Sequence, residues 1–169
     1  GVAFSSAAGK EYFKSSLLEG NAEVYFHLAE SYNTQSNPAY CGLTSLSVAL
    51  NALLIDPGRT WQGVWRWFSE DLLDCCEPLE VVQLKGITLA KLHCLAQCQG
   101  ATSTLVYGTE TDETDFRTIV KESCRIENGQ KKVIIASYSR PALNQTGSGH
   151  FSPIGAYNES SDMVLLLDT

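Results

Sequence analysis

The order of apolar and polar residues divides the chain into a helical first part and a second part rich in strands. Up to about residue 98, apolar side chains recur at intervals of three and four, which gives an α-helix one apolar face. From about residue 103, apolar runs shorten to strand length and are separated by turn-forming residues. The predicted helices are 5–20, 21–32, 41–54, 89–98 and 112–121, and the predicted strands are 103–108, 133–138, 151–157 and 163–168. Helices followed by antiparallel strands are typical of an α+β fold, which we predict here.

A group of aromatic residues follows the third predicted helix. Trp61, Trp65 and Trp67 lie close together in the sequence, and Phe68 comes directly after them. Aromatic side chains at helical spacing are more often part of a hydrophobic core than a platform for a ligand. We therefore predict that these four side chains are buried.

A cysteine lies at the predicted start of the third helix. Cys41 follows Pro38, and a thiol at a helix N-terminus lies at the positive end of the macrodipole, which favours the reactive thiolate. Gln35 lies six residues upstream and can donate a hydrogen bond to an oxyanion, alongside the backbone N–H of Cys41. This segment indicates a thiol nucleophile with an oxyanion donor. On these residues alone, the alternative is that Cys41 is a small side chain of the core.

The partners of such a thiol lie near the other end of the chain. His150 leads one predicted strand, Asp168 ends the next, and 158–162 has the composition of a turn. A hairpin centred near Ser160 places His150 opposite Asp168 or one diagonal away, with Cβ atoms about 4.5–8 Å apart. The two side chains share a face if the paired residue numbers add to an even number. An imidazole oriented by a carboxylate and aimed at a thiol forms a catalytic triad. Taken singly, His150 and Asp168 are also explained as a strand-end histidine and a turn acid.

Several segments of the chain resemble one enzyme family. They are 40–53, 55–59, 65–68, 73–80 and 149–155. Together they resemble phytochelatin synthase of the plant type, from about residue 4 to residue 168. The run Leu-Asp-Cys-Cys-Glu-Pro-Leu-Glu at 73–80 is highly specific. The residues after Cys41 differ from the Cys-Gly-Ser/Ala-Cys-Trp/Tyr run of papain itself, which argues against an ordinary endopeptidase.

The resemblance implies both a fold and a reaction. The fold is papain-like, with a helical half and a sheet half on two sides of a cleft. Cys41 is then the nucleophile, His150 the acid and base, Asp168 the orienting carboxylate and Gln35 the oxyanion donor. The reaction transfers the γ-glutamylcysteinyl unit of glutathione through a thioester to a second glutathione or a phytochelatin, and it releases glycine. The products serve heavy-metal detoxification, cadmium above all.

The resemblance also implies the partners of the enzyme and the extent of the domain. Its substrates are glutathione and metal–glutathione thiolates, and no organic cofactor is required. Cadmium or zinc ions act as activators or enter as part of the thiolate co-substrate. The family continues past its aspartate with further strands, so we expect 1–169 to be an incomplete catalytic domain, truncated at the C-terminus.

Composition limits the partners of the chain. The 169 residues are 44% hydrophobic and carry a formal net charge of -7. No cluster of Lys and Arg is present, so neither nucleic acid nor an anionic membrane is an expected partner. No apolar run approaches the roughly 20 residues that a membrane-spanning helix needs. We expect one domain, 1–169.

The remaining cysteines suggest a second kind of site. Their spacing fits no small secreted disulfide scaffold, so we expect free thiols in a reducing cytoplasm. Cys94 and Cys98 lie four apart on a predicted helix and can share one soft metal ion, to which Cys75 and Cys76 could add two thiolates. This spacing differs from the paired Cys-x2-Cys of zinc sites. Purely structural thiols are therefore the alternative, although the resemblance favours contact with cadmium.

Two other functions remain open at this stage. The first is a hydrolase of the same architecture that passes the acyl group to water, because acceptor choice depends on pocket shape and water exclusion. The second is a non-catalytic thiol protein that buffers or senses metal. Alkylation of Cys41 alone would abolish an acyl transferase and leave most of the capacity of a metal buffer.

Overall fold

The computed structural model describes residues 1–169 as six α-helices, two 3-10 turns and a three-stranded antiparallel sheet. The helices are α1 (Ala7–Leu18), α2 (Glu23–Glu30), α3 (Cys41–Ala52), α4 (Leu79–Lys85), α5 (Leu89–Cys98) and α6 (Glu113–Cys124). The strands are β1 (Ile135–Ser139), β2 (Gly149–Asn158) and β3 (Met163–Leu166), and the 3-10 turns are Glu70–Leu72 and Pro141–Leu143. The predicted α+β class is confirmed. No helix is long and apolar enough to cross a membrane.

Side-chain caps fix the starts of three helices. Ser6 Oγ accepts a hydrogen bond from the N–H of Gly9, and Thr88 and Asp112 cap α5 and α6 in the same way. Asn21, the first residue of the predicted second helix and a good cap residue, does not cap α2. The side-chain oxygen of Asn21 accepts instead from Arg125, at 2.6 Å, and α2 begins after Ala22 with no side-chain cap.

Helix α3 is the centre of the fold. Every residue of α3 after Cys41 is buried. One side of the helix packs into a hydrophobic cluster with Phe68, Val82 and α5, and the other side packs into a second cluster with α2, α6 and β2. Because α3 has core on two sides, it cannot slide or turn without opening one of the two clusters.

The three strands pair in the order β1-β2-β3. Tyr138 of β1 pairs with His150 of β2, and at the other end of β2 Asn158 pairs with Met163. The second pairing is the predicted hairpin. A bulge at Gly155 interrupts it, where an added Cβ would lie 2.5 Å from Leu167 Cδ1. A side chain at this position would clash with the side chain of Leu167, so glycine fits the bulge best.

One predicted strand is absent and one helix was not predicted. Residues 103–108 form no strand: the sheet ends at β1 and β3, and the apolar side chains of Val106 and Tyr107 are exposed instead of packed on a core. The missed helix α4 has recognisable boundaries: Pro78 precedes it, and Gly86 follows it with a φ of 72°. With only 7 residues, α4 is too short for apolar residues to repeat at helical spacing in the sequence.

The burial predicted for the tryptophans is wrong. Trp61, Trp65 and Trp67 are 41%, 71% and 40% exposed, whereas Phe68 is buried in the core. The segment before Phe68 consists of turns and bends, not a helix. Helical spacing therefore does not bring the three indole rings onto one buried face.

The contact between α3 and β2 gives a test of the packing. A Cβ added to Gly42 would lie 2.5 Å from Ile87 Cγ2 and 3.2 Å from Phe151 Cδ2. We expect Gly42→Ala to lower the free energy of unfolding by about 1–3 kcal/mol, because overpacking outweighs the higher helix propensity of alanine. Urea denaturation measures the change. Gly108→Ala is the matched control, since nothing lies within 4 Å of its added Cβ. Equal stability of both variants would show that α3 and β2 are not in tight contact.

Candidate active site

Cys41 is the first residue of α3 and is partly exposed. The residues after it hold the start of the helix against β2: Gly42 abuts Phe151, and Ser45 Oγ donates a hydrogen bond to the carbonyl of Phe151 at 3.1 Å. Phe151 directly follows His150 in β2. The packing therefore brings the cysteine end of α3 and the histidine end of β2 to the same edge of the fold.

His150 and Asp168 are in direct contact, as predicted. Nε2 of the imidazole lies 2.6 Å from Oδ1 of the carboxylate, and the ring is buried while the carboxylate is about half exposed. A hydrogen bond of this length fixes both the tautomer and the orientation of the ring. Because Asp168 occupies Nε2, Nδ1 is the ring nitrogen that remains for proton exchange with another group.

Gln35 lies in the loop before α3. Its Nε2 donates one hydrogen bond to the carbonyl of Asn37 at 2.9 Å, and its Oε1 is buried without a partner. The same carbonyl accepts the N–H of Tyr40, so the loop turns back into the helix at this point. One N–H of the Gln35 amide is left over, which is what an oxyanion donor requires.

Comparison with known proteins shows the family of the chain. The profile of the family described as phytochelatin synthase matches residues 1–169. The chain belongs to the phytochelatin synthase family. It is 52% identical over 167 residues to glutathione gamma-glutamylcysteinyltransferase 1 of Arabidopsis thaliana. The aligned region covers 99% of this chain and 34% of that relative.

Other members of the phytochelatin synthase family are similar over the same residues. Glutathione gamma-glutamylcysteinyltransferase 3 of Lotus japonicus is 50% identical over 99% of this chain and 34% of its own length. The Schizosaccharomyces pombe glutathione gamma-glutamylcysteinyltransferase is 42% identical over 99% of this chain and 40% of its own length. The chain therefore spans about a third of the length of the plant relatives and two fifths of the yeast one.

Arg140 is a neighbour of the His150–Asp168 pair that the sequence did not reveal. Its Nη2 lies 3.2 Å from Asp168 Oδ1 and 3.1 Å from His150 Nε2. A guanidinium carries only donors, and Nε2 already donates to Asp168, so the hydrogen bond of Arg140 goes to the carboxylate. The available signal was its position just after the predicted strand 133–138, which corresponds to β1 and pairs with the strand of His150.

Two tyrosines complete the surroundings of the pair. The ring of Tyr138 meets the His150 ring edge-on, with centroids 5.8 Å apart. Burial raises the pKa of the Tyr138 hydroxyl, a hydrogen bond with Ser152 opposes this, and the negative charges of Asp168 and Cys41 add to it. The hydroxyl of Tyr32 donates to the backbone carbonyl of Asp168.

The structure brings together the four cysteines predicted to share a metal, but it pairs them. Cys75 is bonded to Cys98, and Cys76 to Cys94. The expectation that these four are free thiols is wrong for this state of the chain, because each cysteine on α5 lies against one of the adjacent pair. The sulfurs of Cys75, Cys76 and Cys98 all lie within 4.8 Å of one another.

Two cysteines are free. They are Cys41 and Cys124, and only Cys41 is accessible to a substrate. Burial raises the pKa of the Cys124 thiol to about 11, so it stays protonated and unreactive. Of the six cysteines in this phytochelatin synthase family member, Cys41 is thus the one suited to act as a nucleophile.

Proposed function

We propose that residues 1–169 belong to the catalytic domain of a glutathione γ-glutamylcysteinyltransferase with a papain-like fold. The observation that carries the proposal is the 2.6 Å contact of His150 with Asp168, at the edge where α3 presents Cys41. The names of the similar proteins support the same activity. In this proposal Cys41 is the nucleophile, His150 the acid and base, and Asp168 the residue that orients the imidazole.

The first half-reaction forms a thioester. Cys41 gives its proton to Nδ1 of His150 and attacks the carbonyl carbon of the Cys–Gly bond of glutathione. The resulting oxyanion accepts hydrogen bonds from the spare N–H of Gln35 and from the backbone N–H of Cys41, which has no partner within the helix. The imidazolium then protonates the amine of the departing glycine. The γ-glutamylcysteinyl group remains on the sulfur of Cys41.

The second half-reaction transfers this group to an amine. Neutral His150 removes a proton from the α-amine of a second glutathione or a phytochelatin, and the nitrogen attacks the thioester carbonyl. Collapse of the tetrahedral intermediate restores the thiol of Cys41 and releases a product longer by one γ-Glu-Cys unit. Asp168 stabilises the imidazolium in both half-reactions, as the triad logic requires.

Metal ions enter this reaction as part of the substrate. The bonds that break and form involve the Cys–Gly carbonyl and an amine, so the thiol of glutathione takes no part in the chemistry. A soft ion such as cadmium or zinc can therefore stay bound to that thiol throughout. We propose metal–glutathione thiolates as co-substrates and phytochelatins for metal detoxification as the products. No organic cofactor is needed for any step.

The four paired cysteines support a second, metal-binding role. In a reducing cytoplasm, where we place this protein, their disulfides are expected to open. Cys75, Cys76 and Cys98 then offer three soft thiolates in one place, to which Cys94, beside Cys76, can add a fourth, and such a set suits cadmium or zinc. An ion held there would hold the segment before α4 to α5, and it would supply no step of the acyl transfer.

The nucleophile can be identified by its adduct. We expect Cys41→Ser to eliminate the γ-glutamylcysteinyl adduct that intact-mass and peptide mass spectrometry detect when the full-length enzyme is mixed with glutathione. Cys124→Ala is the matched control because it removes the other free cysteine, and it should keep the adduct. An adduct mapped to Cys75 or Cys94 would contradict the assignment. Glycine release without peptide products would indicate the hydrolase instead.

The role of Gln35 appears in the kinetic constants. Loss of one oxyanion donor lowers kcat by about 10²–10³, because the interaction forms only in the transition state. We expect Gln35→Ala to lower kcat to this extent with a smaller change in KM, as measured by steady-state glycine release. Gln97→Ala, on the exposed surface of α5, should leave both constants unchanged. A near-normal kcat with a raised KM would mean that Gln35 only binds substrate.

The metal role can be tested by counting bound ions. Under reducing, anaerobic conditions, we expect the wild-type protein to bind more cadmium in equilibrium dialysis than a variant with Ser at the four positions 75, 76, 94 and 98. Oxidised wild-type protein should match the variant. Acylation by metal-free glutathione should stay within a few-fold of normal in the variant. Unchanged cadmium stoichiometry would assign the four thiols a purely structural role.

A further inference from the structure

Glu70 is the only acidic side chain among the buried residues, with 7% of its surface exposed. It lies at the start of the 3-10 turn Glu70–Leu72 and forms no ion pair. Three neutral donors reach its carboxylate instead. They are the N–H of Ser36, at 3.1 Å, and the hydroxyls of Ser36 and Thr44.

These donors come from the two elements that make up the proposed oxyanion site. Ser36 directly follows Gln35 in the loop before the nucleophile, and Thr44 lies one turn after Cys41 on α3. The loop and the helix have no other side chain that bridges them in this way. A carboxylate has lone pairs on two oxygens, so Glu70 accepts from both elements at once.

We propose that Glu70 is a positioning residue that holds Gln35 in register with Cys41, so that the spare amide N–H of Gln35 and the backbone N–H of Cys41 converge on one oxyanion. This inference rests on the acyl-transfer function proposed above. Glu70 does not touch the reacting atoms. It acts through the loop, because a shift of Ser36 would carry Gln35 with it.

The fold gives Glu70 a rigid base. Two residues before it, the backbone of Phe68 exchanges two hydrogen bonds of 2.9 Å with the side chain of Asn51 on α3. Two residues after it, Leu72 and then Leu73 are buried in the core. The segment that carries Glu70 is thus anchored to α3 through Asn51, and the carboxylate extends from it to Ser36 in the loop. Its negative charge lies near the N-terminal end of α3, where the macrodipole favours an anion.

Burial of a carboxylate without a cation is costly, so stability alone does not account for Glu70. An apolar side chain of the same size would suit the neighbouring core better, but it could not hold the loop. Donors that converge from a catalytic loop and a catalytic helix give the acid a function. An oxyanion donor must be held to within about 0.5 Å of its productive position, which a free surface loop does not achieve.

The test separates two reactions of the same thiol. Acylation by glutathione passes through an oxyanion, whereas alkylation by iodoacetamide does not. In the full-length enzyme we expect Glu70→Ala to slow acylation of Cys41 at least tenfold and to leave alkylation within about twofold, because only the first reaction uses the oxyanion donors. Glu70→Gln should recover most of the acylation rate. Its amide oxygen can still accept from Ser36 and Thr44, and its amide nitrogen can donate to the Ser36 hydroxyl.

Three further variants make the test specific. Asn158→Ala removes buried hydrogen bonds with Tyr12 and Ser161 at the other end of β2, and it should lower the melting temperature without changing the ratio of the two rates. Gln35→Ala/Glu70→Ala should acylate no more slowly than Gln35→Ala alone. Ser36→Ala, at an exposed residue, provides a variant that keeps the core intact and should also slow acylation selectively.

Several outcomes would overturn the inference. One is that Glu70→Ala slows acylation and alkylation equally. Another is that the rate losses of Gln35→Ala and Glu70→Ala multiply in the double variant. The third is that the single variants Ser36→Ala and Glu70→Ala both keep full activity. Failure of the proposed function looks different. In that case the wild-type enzyme itself would form no adduct with glutathione while its Cys41 still reacted with iodoacetamide.

Discussion

The burial of α3 is the constraint on which the site depends. Core on two sides of the helix fixes its axis, and the close contact of Gly42 and Ser45 with Phe151 fixes its first turn against β2. Cys41 begins this first turn, so its position is fixed with the helix, and it is the one residue of α3 that is not buried. Tight packing thus sets the position of the Cys41 thiol, and hydrogen bonds set the positions of the polar groups around it.

The second requirement is an ordered set of polar contacts at one edge of the fold. Asp168 receives hydrogen bonds from His150 and Arg140 on its carboxylate and from Tyr32 on its carbonyl. Side chains from three separate stretches of chain thereby hold one acid that is otherwise half exposed. Such support matters because an exposed carboxylate alone would rotate freely and leave the imidazole without a fixed orientation.

The sequence predicted those parts of the structure that depend on local patterns. The start of α3 at Cys41, the helix α5 at Leu89–Cys98 and the hairpin that joins His150 to Asp168 all follow from spacing, caps and turn residues. The errors lie where tertiary contacts decide. Whether Trp65 is buried depends on the path of a segment without regular structure, and a strand at 103–108 needs a neighbour that the sheet does not provide.

The candidate site divides in the same way. Gln35, Cys41, His150 and Asp168 were found because their chemistry and their places in local elements agree. Arg140 and Glu70 were missed because each acts through a contact with residues distant in sequence. The pairing of the four cysteines was missed for the same reason, since it depends on how α5 lies against the segment before α4.

The bulge at Gly155 decides on which face of the sheet Asp168 lies. Near the turn, even residues of β2 pair with odd residues of β3, as Asn158 does with Met163. If that register continued past the end of β3, the side chain of Asp168 would lie on the face of the sheet opposite His150. The single extra residue at the bulge changes the parity, so Ile154 pairs with Leu166 and Asp168 comes to the face of His150. The contact of His150 with Asp168 therefore depends on one extra residue, Gly155, and any change that straightened this strand would preserve the sheet while turning the carboxylate away from the imidazole.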